Sequence, residues 1–317
     1  MFWLDPPKAQ LEDQIARDRL AHAVLIAGGP GTGKRQLASW LVQRVLGTTE
    51  PGADTLQILA ERFADVTCLT VPDDKRQIGV DQVRALSATM ALSSHAGGRK
   101  IAVIEPANAM TLAAANGLLK TLEEPAGDAL LILIADDLSR LPATILSRTV
   151  LLPVAVPDAA SAAAWLEEQG VQPDRARAAL QLTYGAPLGA LALADGGELD
   201  NMLAVRRDLL GLWAGLARPL EVAVGWRKLD YDHLLATVRN SGEEVVRTVL
   251  LGQMRNRSEF DVTGVDTRDA FCYLDRVRSA IARSDVGINR DLALDALALP
   301  WAERFQGEFK QSLPFAD

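Results

Sequence analysis

The sequence predicts an α/β protein with a five-stranded parallel sheet in its first half, followed by a small helical lid and an all-α C-terminal domain. Short apolar runs alternate with helical periodicity in that first half, which favours a parallel sheet covered on both faces. After Pro153 and Pro157 no segment has the character of a strand. A chain of 317 residues also exceeds the usual size of one core. We therefore predict three domains, at residues 1–153, 154–197 and 198–317.

The five predicted strands are short, continuous apolar runs of the kind that parallel sheets bury. They lie at residues 23–27, 66–71, 101–105, 129–135 and 149–154. Helical periodicity in the core predicts helices at residues 7–19, 35–46, 80–91, 112–124 and 141–146. The same pattern predicts helices at residues 159–169, 175–184 and 188–193 in the lid, and at 202–216, 232–256, 267–283 and 289–297 in the C-terminal domain.

The charge and the cysteine content exclude several classes of protein. A net charge of −8 argues against a free-standing nucleic-acid binder, because that role needs a basic face. DNA contact would then require a larger assembly. Cys68 and Cys272 lie far apart and have no metal-ligand spacing, which fits a reducing cytosol. No apolar stretch is long enough for a membrane span, so we expect a soluble intracellular protein.

A glycine-rich segment directly after the first predicted strand has the GxxxxGK pattern of a phosphate-binding loop. In such loops the backbone N–H groups surround a phosphate, the helix N-terminus adds positive potential, and the lysine bridges the outer phosphates. The segment consists of Gly28, Gly29, Pro30, Gly31, Thr32, Gly33 and Lys34.

Other parts of the hydrolysis machinery are missing or altered. Arg35 stands where P-loop enzymes place the hydroxyl that ligates Mg²⁺, and an arginine cannot ligate a cation. The third predicted strand ends in Glu105 and Pro106, where an Asp and an acidic neighbour are expected. Glu105 has a longer side chain than Asp, and Pro106 cannot activate water. Leu188 supplies no charge where an arginine commonly contacts the γ-phosphate.

Three motifs resemble the delta-prime subunits of the bacterial DNA polymerase III clamp loader, a family within the AAA+ superfamily. The first lies at residues 19–23 and reads RLAHA; the second lies at residues 77–84 and reads QIGVDQVR. The third, at residues 114–125, reads AANGLLKTLEEP, and it is followed by LSRT at residues 146–149. The run from Asn116 to Pro125 with the later Ser-Arg pair is specific to clamp-loader subunits and their relatives.

The resemblance implies an AAA+ core, a C-terminal collar and a hetero-oligomeric ring with ATPase (gamma/tau) and delta subunits, in the bacterial cytoplasm. It implies that primed DNA is contacted only within the complex. It also implies that Arg148, flanked by Ser147 and Thr149, is an arginine finger that acts in trans on the ATP of a neighbouring subunit. Thr149 departs from the cysteine that the family motif has at this position.

No cofactor is expected. Many delta-prime subunits carry a four-cysteine zinc module after the first helix that follows the loop, but residues 47–66 contain no cysteine, so we predict that the module is absent here. The retained Lys34 leaves weak binding of phosphate or a nucleotide open. The histidines His22, His95 and His233 show no pairing that indicates a catalytic base, and Glu123 with Glu124 is interpreted as a helix-end surface.

The leading hypothesis is a subunit that braces the clamp loader and activates a neighbour, without ATPase activity as an isolated chain. It would still belong to a larger DNA-directed DNA polymerase. Two alternatives remain open. One is an active P-loop ATPase with unusual metal ligation, which Arg35 and Pro106 disfavour. The other is a DNA-binding protein that acts alone, which the acidic composition disfavours.

Overall fold

The sheet of the N-terminal core has five parallel strands, as predicted. The computed structural model describes residues 1–49, 55–92, 94, 98–252, 258–282 and 289–307. The strands are β1 (Ala23–Ala27), β2 (Val66–Thr70), β3 (Lys100–Glu105), β4 (Ala129–Ala135) and β5 (Val150–Pro153), in the spatial order β2-β3-β4-β1-β5. Strand β1 pairs with the central strand β4 on one side and with the edge strand β5 on the other.

Helices cover both faces of the sheet because alternate strand residues point to opposite sides. The helices of the core are α1 (Asp5–Ala16), α2 (Lys34–Leu46), α3 (Thr55–Arg62), α4 (Val80–Ala91), α5 (Leu112–Glu123) and α6 (Ala143–Leu146). On one face, Leu37 and Leu41 of α2 pack with Val24 of β1. On the other face, Leu118 of α5 packs with Leu25 of β1. The sheet is therefore the middle layer of three.

Beyond β5, every segment that forms regular structure in the described part of the chain is helical. The helices are α7 (Ala159–Glu168), α8 (Pro173–Leu182), α9 (Pro187–Asp195), α10 (Leu199–Trp213), α11 (Pro219–Trp226), α12 (Tyr231–Leu251), α13 (Thr267–Ala282) and α14 (Arg290–Ala302). The predicted helical C-terminal region is thus confirmed. None of the described helices has the length and apolar character that crossing a membrane requires.

Several element boundaries differ from the sequence prediction. The helix predicted at 232–256 ends at Leu251, because Gly252 follows with a φ of 82°. Residues 253–257 and 283–288, which contain the predicted ends of two helices, lie outside the described residues, and so does His95. Two short helices, α3 and α11, were not predicted.

The chain divides into two compact units, the first comprising Met1–Pro173 with Thr183–Leu191 and the second Asp174–Leu182 with Ala192–Asp317. The core of the second unit is aromatic: Trp213, Phe260, Tyr273, Trp301 and Phe305 are buried together. Its buried Arg206 forms ion pairs with Glu244 and Glu259. The boundaries predicted for three domains stay a prediction.

Candidate functional site

The phosphate-loop segment connects β1 to α2 at the carboxyl ends of the strands. It begins at Gly28, and α2 starts at Lys34. Helix α2 packs on one face of the sheet, whereas α6, which follows β4, packs on the other with Ile145. A crevice at such a point, where the helices after neighbouring strands diverge, is the usual ligand site of open α/β sheets. The sequence motif therefore lies where a nucleotide would be bound.

The loop is held from two sides by other segments of its own unit. The indole Nε1 of Trp3 donates to the carbonyl of Thr32 at 2.8 Å. The backbone N–H groups of Leu188 and Gly189, in the first turn of α9, both donate to the carbonyl of Gly31, at 3.1 and 3.3 Å. Those N–H groups have no partner within their own helix, so the loop satisfies them. Leu188, where the sequence lacks the expected arginine, thus contacts the loop.

Lys34 is engaged by protein groups instead of facing solvent. Its side chain is 6% exposed, and its Nζ lies 2.6 Å from Oδ1 of Asp136, the residue after β4. The same Nζ donates to the carbonyl of Gly29 at 2.7 Å. The Asp136 carboxylate therefore neutralises the ammonium charge that a P-loop lysine offers to the outer phosphates. Asp136, which no sequence motif singles out, is thus the carboxylate partner of Lys34.

Arg35 and Glu105 form a second ion pair at this edge of the sheet. Nε of Arg35 donates to Oε2 of Glu105 at 2.8 Å. The carboxylate at the end of β3 is thus paired with the arginine that stands at the position where P-loop enzymes have a serine or threonine. Pro106 follows it and offers no polar side chain. In the described residues, no group of three or more His, Cys, Asp or Glu side chains is placed to hold a metal ion.

Arg148 lies at the opposite edge of the sheet, between α6 and the start of β5. Its Nε donates to Oε1 of Glu123 at 2.7 Å, and Nη2 is paired with the same oxygen. Its Nη1 donates to the carbonyl of Thr144 and to Oγ of Ser147, both at 3.1 Å. The side chain is 34% exposed. Thr149 uses its hydroxyl to donate to the carbonyl of Ile145 at 3.0 Å, so it stabilises the end of α6.

The register of β1 and β5 separates the two candidate sites. Val24 pairs with Val150 and Ala27 pairs with Pro153, so Arg148 precedes the amino end of β5 while the loop follows the carboxyl end of β1. A strand advances about 3.3 Å per residue, which places roughly 15 Å of sheet between the two edges. The structure therefore brings Ser147, Arg148 and Thr149 together but not with Lys34.

The comparisons with known proteins identify the family. A family model described as "DNA polymerase III, delta subunit" matches residues 5–158. The DNA polymerase III subunit delta′ of Yersinia pestis is 36% identical over 98% of this chain and 98% of its own length. The chain belongs to the delta′ family of DNA polymerase III subunits. The delta′ subunit of Pseudomonas aeruginosa is 33% identical over 90% of this chain and 93% of its own length. A more distant relative is the tau subunit of Bacillus subtilis, which is 27% identical over 44% of this chain and 25% of its own length.

Proposed function

We propose that this delta′ chain is a non-hydrolysing member of the DNA polymerase III clamp loader. It assembles with the gamma/tau ATPase subunits and the delta subunit in a ring, and it helps load the sliding clamp onto primed DNA. Its contribution is to brace the ring and to present Arg148 to an ATP bound by a neighbour. DNA is contacted only within the complex, and the work takes place in the bacterial cytoplasm. The similarity to a tau subunit supports a shared subunit architecture.

One observation carries this proposal: Arg148 and the phosphate-loop segment lie at opposite edges of one sheet. Roughly 15 Å of strand lies between the edges, which is beyond the reach of an arginine side chain. Arg148 therefore cannot act on a phosphate held by its own loop. An arginine that stabilises charge on a γ-phosphate from this position must do so on another subunit.

The ion pairs at the carboxyl ends of the strands support the proposal that the isolated chain does not hydrolyse ATP. Lys34 is paired with Asp136, and Arg35 is paired with Glu105. An ATP phosphate that approached Lys34 would compete with Asp136, and Pro106 offers no group that activates water. Binding of phosphate or nucleotide to Lys34 is accordingly weak or absent, and no zinc or other cofactor is part of the proposal.

The test is a clamp loader reconstituted with Arg148→Ala in this subunit. The ring assembles normally, because the side chain is partly exposed and is not part of a core. DNA-stimulated ATP hydrolysis falls at the site that receives Arg148, by about 10³-fold for the loss of an arginine finger, and the other sites continue. Unchanged hydrolysis by the whole loader would remove the assignment. ATP turnover by the purified chain at the rate of an ATPase subunit would also contradict it.

A further inference from the structure

Glu123, which the sequence predicts only to belong to a helix-end surface, is the acidic partner of Arg148. It is the last residue of α5, and its side chain is 50% exposed. Its Oε1 accepts from Nε of Arg148 and is paired with Nη2 of the same side chain. One carboxylate oxygen thus holds one edge of the guanidinium, while Thr144 and Ser147 hold Nη1. All three guanidinium nitrogens have partners.

The end of α5, which carries Glu123, makes one further contact at the amino edge of the sheet. Nε2 of His22, the residue before β1, lies 2.9 Å from the carbonyl of Leu122. Because a carbonyl only accepts, Nε2 must carry the proton in this contact. Carbonyls in the last turn of a helix have no partner within the helix, so the imidazole anchors the end of α5. Next to this anchored carbonyl, the Glu123 side chain faces Arg148.

We propose that Glu123 is a positioning residue for Arg148, a role that rests on the function proposed above. A partly exposed arginine has many accessible rotamers, and ordering them when the phosphate arrives costs entropy. Glu123 restricts the guanidinium in advance, so the neighbouring ATP meets a side chain that is already oriented. An ion pair this exposed adds little to folding stability. The role of the Glu123–Arg148 ion pair is therefore to orient the guanidinium group.

The Glu123 carboxylate also neutralises part of the positive charge of Arg148. Replacing Glu123 can therefore lower or raise the rate of ATP hydrolysis, and the direction of the change tests the proposal. If hydrogen-bonded geometry is what matters, a neutral acceptor of the same length keeps most of the function. Glu123→Gln supplies that acceptor, whereas Glu123→Ala removes it. A carboxylate that merely withheld Arg148 from phosphate would give the reverse result, because both variants would then speed hydrolysis.

The experiment uses the whole loader and measures the part of DNA-stimulated ATP hydrolysis that Arg148→Ala abolishes. Glu123→Ala lowers the kcat of that part about tenfold and changes the KM for ATP less than about twofold, because misplacement of a catalytic group acts on the transition state. Glu123→Gln lowers the same kcat about twofold at most. Glu124→Ala, at the exposed neighbouring residue, is the matched control and leaves the rate unchanged. Glu123→Leu, which keeps much of the bulk but not the acceptor, gives the same loss as alanine.

The double variant separates the two proposals. Since Glu123 acts through Arg148, adding Glu123→Ala to Arg148→Ala causes no further loss. A further loss would overturn the positioning role and indicate a general structural effect. If Arg148→Ala slows the loader while Glu123→Ala and Glu123→Leu do not, the inference fails and the proposed function stands. If Arg148→Ala has no effect, the proposed function itself fails.

Discussion

The two ends of the sheet each hold a cation paired with a carboxylate, but the two cations differ in accessibility. At the carboxyl edge, Lys34 is almost fully buried between Asp136 and the carbonyl of Gly29. At the amino edge, Arg148 and Glu123 are both partly exposed. The Asp136 carboxylate is itself 43% exposed, so only the lysine of this pair is buried. Opening the pair leaves a buried ammonium group that is paired with no carboxylate, which is costly. An exposed pair exchanges readily. We therefore expect Lys34 to exchange its carboxylate less readily than Arg148 does, and we call the carboxyl edge closed and the amino edge open in this sense.

The largest expected effect is on folding stability at the carboxyl edge. The prediction tests whether the phosphate-loop segment has a structural role through its packing against α9. Gly31 has a φ of +73°, and an added Cβ would lie 2.5 Å from the backbone nitrogen of Gly189. Gly31→Ala should lower the free energy of unfolding by about 3–5 kcal/mol, because strain and a backbone clash combine. Urea denaturation of the isolated chain measures it. Gly29→Ala is the control, since its Cβ would meet nothing closer than 3.9 Å. Equal stability of the two variants would show that the loop is not held as described.

The next effect concerns the open edge and tests whether the shape of the guanidinium matters as well as its charge. Arg148→Lys keeps the positive charge but loses the planar fork that matches phosphate oxygens. The Arg148-dependent part of ATP hydrolysis should fall about 100-fold. The melting temperature of the isolated chain should stay the same, because the side chain is partly exposed. Arg140→Lys, at an exposed arginine between β4 and α6, is the control. Full activity of Arg148→Lys would mean that a point charge suffices.

The third prediction concerns a variant in which Lys34 loses its carboxylate partner and becomes available to an external phosphate. Asp136→Asn keeps the size of the side chain and removes the charge that neutralises Lys34. Calorimetric titration with Mg-ATP should then show binding about tenfold tighter than for the unmodified chain, equivalent to about 1.4 kcal/mol. Asp137→Asn is the matched control, because Asp137 accepts from Ser139 and not from Lys34. If the two variants bind ATP equally, the ion pair is not what limits binding.

The smallest effect compares the stability contributions of the two pairs directly. Asp136→Ala leaves a buried lysine with only a carbonyl partner and should cost about 1–2 kcal/mol of unfolding free energy. Glu123→Ala breaks an exposed pair and should cost less than about 0.5 kcal/mol. Thermal unfolding of the two variants provides the measurement. A larger loss from Glu123→Ala would reverse the ranking of the two edges.

The sequence predicts the fold well because buried strands and a glycine loop leave local patterns. All five strands, and the loss of the hydroxyl at Arg35, could be read from such patterns. Helix α11 was missed although Pro219 is a typical first helical residue, because its eight residues are apolar on most sides and show little periodicity.

The contacts of the site could not be predicted in the same way. Asp136 meets Lys34 only because β4 lies beside β1, and Glu123 meets Arg148 only because the end of α5 lies beside the start of β5. Partners so far apart in the chain are set by strand order, which periodicity does not reveal. For Glu123 a signal did exist: it lies within the 116–125 run that carries the family resemblance.

The phosphate loop and Arg148 lie at opposite ends of the sheet, so the subunit has two different sides with which it can contact its neighbours. Consider a row of protomers in which each binds ATP on one side and contacts its neighbour's ATP with an arginine on the other. Every protomer inside such a row both supplies an arginine and receives one. A protomer of the proposed kind offers Arg148 to its neighbour but hydrolyses no ATP at its own phosphate loop. Under the proposed function such a protomer ends the row on one side, and a closed circle of identical catalytic junctions cannot form around it.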